Sequence, residues 1–143
     1  SVRFVAGGCA LNRDIYDKST PDNACSIMTF FQAGQFKALI CGDATYSTEK
    51  YAIDNWRSEI ANVHLLQVPH HGSKYGSSEA FVKLVDPQYA VVSVGFYEHS
   101  YRMPDYVSIE RYLTLMKGRH VAEEHDIDYW YWDGKEIEEN VLS

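Results

Sequence analysis

The apolar positions of the chain switch between a strand-like and a helix-like period. Four short apolar runs rich in β-branched and aromatic residues predict strands at 2–5, 26–31, 36–41 and 64–68. From about Thr48 to Ile60 the period changes, and the apolar residues that recur three or four positions apart are Tyr51, Ala52, Trp56 and Ile60. This spacing is typical of one face of a helix. Alternating strands and helices predict an α/β layer structure.

The second half of the chain continues the alternation. The sequence Ser77-Ser78-Glu79 predicts a helix start and Pro87 its end, and a further helix is predicted from Pro104 to Gly118. The nearly all-apolar run 89–94 is expected to be a strand covered on both faces. Closing strands are predicted at 121–122 and 128–132, followed by an Asp133-Gly134 turn. Polar loops are expected at 7–23, 69–76 and 95–103.

Composition and charge limit the classes of function. The 143 residues are 45% apolar, which is enough for the core of one domain or half-domain, 1–143. Thirteen basic and 20 acidic residues give a net charge of -7, which argues against a broad basic surface for nucleic acid. A phosphodiester substrate would need bound metal to supply positive charge. The longest apolar run covers only 89–96, so no membrane segment is expected.

The three cysteines, Cys9, Cys25 and Cys41, have the spacing of neither a metal knuckle nor a disulfide framework. Cys25 and Cys41 are expected to be small buried hydrophobes. A reducing compartment and hence a cytoplasmic location are favoured, although a domain of a membrane-attached protein is an alternative. The chain begins at Ser1 inside a strand-like run, which suggests a piece of a longer polypeptide.

Candidate chemistry follows the ends of two predicted strands. Asp43 follows the run 36–41 with Gly42 between them, and His70-His71 follow the run 64–68 with Pro69 between them. Side chains at the carboxyl ends of neighbouring strands form sites in α/β proteins, and carboxylate and imidazole suit zinc, manganese or iron. Asp43 alone could equally cap a loop, and the histidines could be hydrogen-bonded loop residues. Together they favour a functional site.

The same residues carry a resemblance to a known family. Four strings contribute: Cys25-Ser26-Ile27-Met28, Leu39-Ile40-Cys41-Gly42-Asp43, Leu65-Leu66-Gln67-Val68-Pro69-His70-His71-Gly72-Ser73 and Ala90-Val91-Val92-Ser93-Val94-Gly95. Over 23–133 the chain resembles the metallo-β-lactamase superfamily, and most closely its ComEC/Rec2-type (DNA-uptake) branch and that branch's soluble relatives. The resemblance implies the C-terminal half of an αββα sandwich, with a mixed sheet and flanking helices.

What the resemblance implies for chemistry is a hydrolase with two divalent metal ions, usually zinc, that activate a bridging water. Asp43 matches the bridging carboxylate, and His70 or His71 the last histidine ligand. His70 is favoured as the ligand because it follows the strand directly, and His71 would then contact a ligand or the transition state. Ser73 and Lys74 are candidates to orient a substrate anion, although Lys74 also fits the pattern of an exposed loop lysine.

Departures from the family pattern are equally informative. None of the six histidines has the spacing His-x-His-x-Asp-His of the superfamily's principal ligand motif, so the chain corresponds to the second half of the fold only. Met103-Pro104 stands where the branch has His-Pro, and His99 is a candidate substitute for substrate binding. Asp22, ahead of Asn23, is either a ligand or a loop cap. His120 and His125 are expected in a solvated connection.

Three readings stay open from the sequence. The first is part of a metal-dependent hydrolase for a phosphodiester or nucleic-acid substrate, inactive as the isolated 143 residues. In the second, the domain is a non-catalytic binding or assembly module with an eroded site. In the third, a partner chain completes the half-fold and buries an apolar sheet face. A homo-oligomer is one form of such an assembly.

Overall fold

A computed structural model describes residues 1–8, 20–94 and 103–117, together with the backbone of two strands at 127–132 and 137–142. The strands are β1 (Val2–Ala6), β2 (Met28–Ala33), β3 (Phe36–Ile40), β4 (Leu65–Gln67), β5 (Tyr89–Val91), β6 (Ile127–Trp132) and β7 (Ile137–Leu142). The helices are α1 (Pro21–Ala24), α2 (Tyr46–Ile60), α3 (Glu79–Val85) and α4 (Tyr106–Met116), with a 3-10 turn at Pro69–Gly72.

The first five strands form one mixed sheet in the order β1-β2-β3-β4-β5. β1, β2 and β3 pair antiparallel, whereas β3, β4 and β5 pair parallel. Each parallel connection runs through a helix, since α2 lies between β3 and β4 and α3 between β4 and β5. The predicted α/β class with a mixed sheet and flanking helices is therefore confirmed.

One face of the sheet carries the core. Phe30, Leu39 and Leu66 are paired across β2, β3 and β4 and are almost completely buried. The helices cover them with buried side chains, among which are Ala52, Ile60, Phe81, Val82, Val85, Ile109 and Tyr112. Burial of this continuous apolar layer is the main stabilising contribution to the domain.

The opposite face of the sheet is apolar but open. Phe4 and Val91 stand at the two ends of one row of cross-strand pairs and are 72% and 50% exposed. Phe31 and Tyr89 belong to the neighbouring row and are also exposed. The expectation that 89–94 is a strand covered on both faces is wrong, because β5 is short, lies at the sheet edge, and has one uncovered face among the described residues.

Several boundaries differ from the sequence prediction. α4 begins at Tyr106 rather than at Pro104, and Asp105 caps it, because the Asp105 carboxylate accepts the Val107 N–H at 3.0 Å. The expected loop 7–23 contains the start of α1, whose N-cap Thr20 accepts the Asn23 N–H. Cys41 is buried as expected, but Cys25 follows α1 and is exposed.

At the C-terminal end, the strand predicted at 128–132 is present as β6, and β7 pairs antiparallel with it. The predictions for Cys9, 95–102, Gly118, 121–122 and Asp133-Gly134 lie outside the described residues. In the described part of the chain, no helix is long and apolar enough to cross a membrane.

Candidate functional site

Parallel pairing brings the two predicted groups of site residues to one edge of the sheet. β3 and β4 run in the same direction, so the segments that follow them, with Asp43 after β3 and His70-His71 after β4, leave the sheet side by side. The His70 N–H donates to the Gly42 carbonyl at 2.9 Å and ties the two segments together. The topology therefore brings these candidate residues close together.

The backbone at the histidines is in an uncommon conformation. His70, His71 and Gly72 are all left-handed, with φ of 50°, 55° and 77°. Glycine is required at position 72, since a Cβ there would lie 2.7 Å from Pro104 Cβ. Two consecutive left-handed histidines cost free energy, and such strain clusters at functional sites. The turn is therefore consistent with a functional role for the loop.

His71 is the histidine that meets Asp43. Its Nε2 lies 3.0 Å from Asp43 Oδ1, and its Nδ1 donates to the Ser93 carbonyl at 2.5 Å. Both side chains are a little over 40% exposed. Metal-ligating histidines characteristically donate one ring N–H to a carbonyl or carboxylate and present the other nitrogen to the metal. The Ser93 contact orients His71 in this way.

His70 has a different partner. Its Nε2 lies 3.2 Å from Asn23 Nδ2, at the end of α1. Although His70 is the nearer of the two histidines to β4 in sequence, the left-handed turn gives the two consecutive imidazoles separate neighbours. The sequence argument favoured His70 as the metal ligand; the geometry places His71, rather than His70, beside the carboxylate. The ligand role of either histidine stays a prediction.

Asp43 is held in place through its backbone, so its carboxylate is left to meet His71. The Asp43 N–H donates to Ser26 Oγ at 3.2 Å, and Gln67 Oε1 accepts from Cys41 N and Gly42 N at 2.8 and 2.9 Å. Gln67 thus fixes the turn before Asp43 from the neighbouring strand, a role that the sequence analysis did not identify. Its only sequence signal is a polar residue in an otherwise apolar strand.

The remaining predicted site residues fall into three groups. Ser73 is buried and its Oγ accepts the Tyr75 N–H at 3.3 Å, so it supports the loop. Lys74 is exposed, and its Nζ lies 5.6 Å from the Tyr75 ring. His99 lies outside the described residues, as do His120 and His125.

A buried glutamate lies behind the histidine loop and was missed by the sequence analysis. Glu49 in α2 is fully buried, and its carboxylate accepts the N–H groups of Ser77 and Ser78. Burial raises the pKa of Glu49 to about 7, against the lowering effect of those hydrogen bonds and of Arg111. A signal existed, because Glu49 lies three residues before Ala52 and shares its face of the helix.

The candidate donor atoms meet the needs of a metal ion only in part. Asp43 and His71 are suitable ligands and already in contact, but a catalytic zinc site normally takes three protein ligands and a water. Among the residues that the structure describes, no three His, Cys, Asp or Glu side chains come together as a potential metal site. Asp43 and His71 therefore fit part of a metal site, and further ligands would have to come from elsewhere.

Comparison with known proteins found two similar sequences. The chain is 31% identical over 90 residues to Recombination protein 2 of Haemophilus influenzae and 32% identical over 87 residues to Competence protein ComA of Neisseria gonorrhoeae. These matches cover 63% and 61% of the chain but only 11% and 12% of the two relatives. No family model matches, and no solved structure matches significantly. The two relatives support the resemblance to the ComEC/Rec2-type branch.

Proposed function

We propose that this chain is part of a metal-dependent hydrolase, with Asp43 and His71 as ligands. The observation that carries the proposal is the contact of 3.0 Å between His71 Nε2 and Asp43 Oδ1 at the ends of parallel strands. The second ring nitrogen of His71 is engaged by the Ser93 carbonyl, as expected of a ligating histidine. His70, beside Asn23, is assigned to the same site as a further ligand or a substrate contact.

Divalent metal, zinc by analogy with the metallo-β-lactamase superfamily, would supply an activated water and stabilise negative charge. The chain's own contribution is to hold the carboxylate and the imidazole at one edge of the sheet. Gln67 and Ser26 fix the backbone around Asp43, and the left-handed turn fixes both histidines. Preorganisation of this kind reduces the cost of assembling a site around the metal.

The proposed substrate class is a phosphodiester of the nucleic-acid type. One relative is called a recombination protein and the other a competence protein, which favours DNA over other phosphodiesters. With a net charge of -7, most of the positive charge at a substrate phosphate would come from bound metal or from residues outside this chain. Lys74, exposed beside the site, is the one basic residue that the proposal places near a substrate anion.

The site is proposed to be completed by residues beyond those described. The open apolar face of the sheet, with Phe4 at 72% exposed, is the kind of surface that a further layer of structure covers. The small share of each relative that the chain spans favours completion in cis, by the same polypeptide. A partner chain or a second copy of this chain are the alternatives.

A second candidate function is a non-catalytic binding or assembly module. It is favoured by the absence of a three-ligand cluster among the described residues and by Met103, where the resembled branch has histidine. Under this alternative, the Asp43–His71 contact is a residual hydrogen bond. The protein would then bind no transition metal at low micromolar free zinc.

The deciding experiment starts with the length of the native polypeptide, measured by intact mass. Zinc content and hydrolysis of bis(p-nitrophenyl) phosphate are then compared in that polypeptide and in its Asp43→Ala variant. Asp54→Ala is the matched control, because Asp54 is an exposed helix carboxylate paired with Lys50. Loss of both zinc and activity in Asp43→Ala, but not in Asp54→Ala, supports the proposal. The proposal is overturned if the wild-type native polypeptide contains no zinc, or if Asp43→Ala hydrolyses the substrate as fast as wild type.

A further inference from the structure

The segment between the histidines and α3 is held mainly by α2 and α4. Residues 73–78 connect the left-handed turn to α3 and lie against α2 and α4. The Tyr46 hydroxyl donates to the Lys74 carbonyl at 2.6 Å, and the Tyr46 N–H donates to the Tyr75 carbonyl at 3.2 Å. Arg111 donates to the Ser77 carbonyl at 2.7 Å. Groups from both helices therefore satisfy the Lys74, Tyr75 and Ser77 carbonyls of the segment.

Glu49 is the centre of this anchoring. Its two carboxylate oxygens accept one backbone N–H each, from Ser77 and Ser78, and the second distance is 2.8 Å. Ser77 is fully buried and left-handed, with φ of 60°, and its Oγ lies 2.9 Å from the Tyr112 hydroxyl. A strained, buried residue keeps such a conformation only where its surroundings impose it. Glu49 supplies that constraint.

We propose that Glu49 is a positioning residue, which holds residues 73–78 so that His70 and His71 stay in the left-handed turn at the sheet edge. The connection is short and continuous, since the Ser73 N–H donates to the His70 carbonyl and the Gly76 N–H to the Ser73 carbonyl, at 2.8 and 3.1 Å. Loss of the Glu49 anchor is therefore expected to loosen the loop towards His70, while the bonds from Tyr46 and Arg111 remain. The inference deepens the proposed function, but its geometry stands without a metal.

The charged and titratable groups that face Glu49 come from several elements. Arg111 of α4 lowers the pKa of Glu49, while Cys41 after β3 and Tyr112 of α4 are buried groups whose own pKa values are raised in part by the Glu49 charge. The ionised carboxylate can accept both N–H groups and the neutral acid has one good acceptor oxygen, whereas burial favours the neutral form, so ionisation of Glu49 changes the anchor. The loop is therefore expected to respond to Glu49 ionisation near neutral pH.

The test uses nuclear magnetic resonance on the chain, Glu49→Gln and Glu49→Asp, with Glu59→Gln as the matched control. Glu59 lies on the same helix, at the surface, 3.7 Å from Arg3. In Glu49→Gln, the Ser77 and Ser78 amides should exchange at least about tenfold faster, with shifted His70 and His71 amide signals, while the Phe30 and Leu39 amides keep their protection. Glu49→Asp, which retains the charge but is one methylene shorter, should restore part of the protection.

A second readout avoids any dependence on variant folding. In the wild-type protein, the Glu49 carboxyl-carbon signal and the Ser77, Ser78 and His71 amide signals should titrate with one shared midpoint. The proposal is overturned if the loop amides ignore the Glu49 midpoint, or if Glu49→Gln folds with unchanged loop signals and exchange.

Zinc titration separates this inference from the proposed function. With Zn²⁺ alone as the probe, Glu49→Gln should weaken any wild-type affinity by about tenfold, as changes behind a metal site do. If the wild-type native polypeptide binds no zinc, the hydrolase proposal fails, while the amide signals still decide the role of Glu49. If zinc binds equally well to wild type and Glu49→Gln, positioning fails and the hydrolase proposal stands.

Discussion

Asp43 and Glu49 are two carboxylates close together in the chain but in opposite surroundings. Asp43 lies at the open edge of the sheet, about 43% exposed, and meets one imidazole. Glu49 is completely buried and meets two backbone amides. Asp43 is accessible to a ligand from solvent, whereas Glu49 is held to its two backbone partners. The comparison indicates that the candidate site consists of an accessible part and a hidden support, with the histidine loop between them.

Removal of the buried support should have the largest effect. Glu49→Ala leaves the Ser77 and Ser78 N–H groups buried without an acceptor, and each such group costs about 1–3 kcal/mol. We expect the free energy of unfolding at pH 6 to fall by about 3 kcal/mol in urea denaturation. A loss below about 0.5 kcal/mol, the range of ordinary surface changes, would contradict the buried anchor.

Removal of the accessible carboxylate should affect binding rather than folding. Asp43→Asn keeps the size of the side chain and should change the free energy of unfolding by no more than about 0.5 kcal/mol, because the residue is half exposed. Zinc affinity of the native polypeptide, measured by calorimetry, should fall by about 100-fold if Asp43 is a ligand. Equal affinities in wild type and Asp43→Asn would remove Asp43 from the metal site.

The buried Glu49 carboxylate should also make the free energy of unfolding depend on pH. The pKa of Glu49 is raised from 4.5 to about 7, so the folded protein holds a proton that the unfolded chain has released between these values. The free energy of unfolding therefore falls as pH rises through this window, by about 2 kcal/mol between pH 5 and pH 7. The difference between wild type and Glu49→Gln, followed by urea denaturation, isolates this contribution, and a flat difference would show that Glu49 titrates normally.

The smallest effect is expected at the exposed tip of the loop. Lys74 has its ammonium in solvent near the Tyr75 ring, so Lys74→Ala should change the free energy of unfolding by less than about 0.5 kcal/mol. If Lys74 orients a substrate anion, the KM for a phosphodiester should rise while zinc affinity stays the same. Thermal unfolding, zinc titration and kinetics of one variant preparation check these outcomes together.

Much of the fold could be read from periodicity, because local patterns record which side of an element is buried. The strand–helix alternation and the placement of Asp43 and His70-His71 at strand ends follow from such patterns. The open face at Tyr89 could not be read, because an apolar run looks the same whether or not a further layer covers it. Periodicity describes residues, and coverage depends on what packs against them.

The candidate site was only partly predictable for a related reason. Motif and spacing identify His70-His71. Which imidazole reaches Asp43 depends on the left-handed backbone conformation of both histidines, and residue propensities do not predict that conformation. Glu49 escaped because glutamate is rarely buried, so its place on the apolar face of α2 was passed over. Hydrophobic periodicity does not predict what a polar residue does inside an apolar pattern, as Glu49 and Gln67 illustrate.

The mixed pairing of the sheet also has a consequence for the order of folding. β2 and β3 are joined by a two-residue turn at Gly34-Gln35, so their hairpin forms from near neighbours in sequence. The Asp43–His71 contact instead requires α2 to cross over and β4 to pair in parallel, which closes a long loop first. We therefore expect Asp43 and His71 to meet late in folding, so that a metal ion, if they bind one, would bind the folded protein rather than direct the chain to its fold.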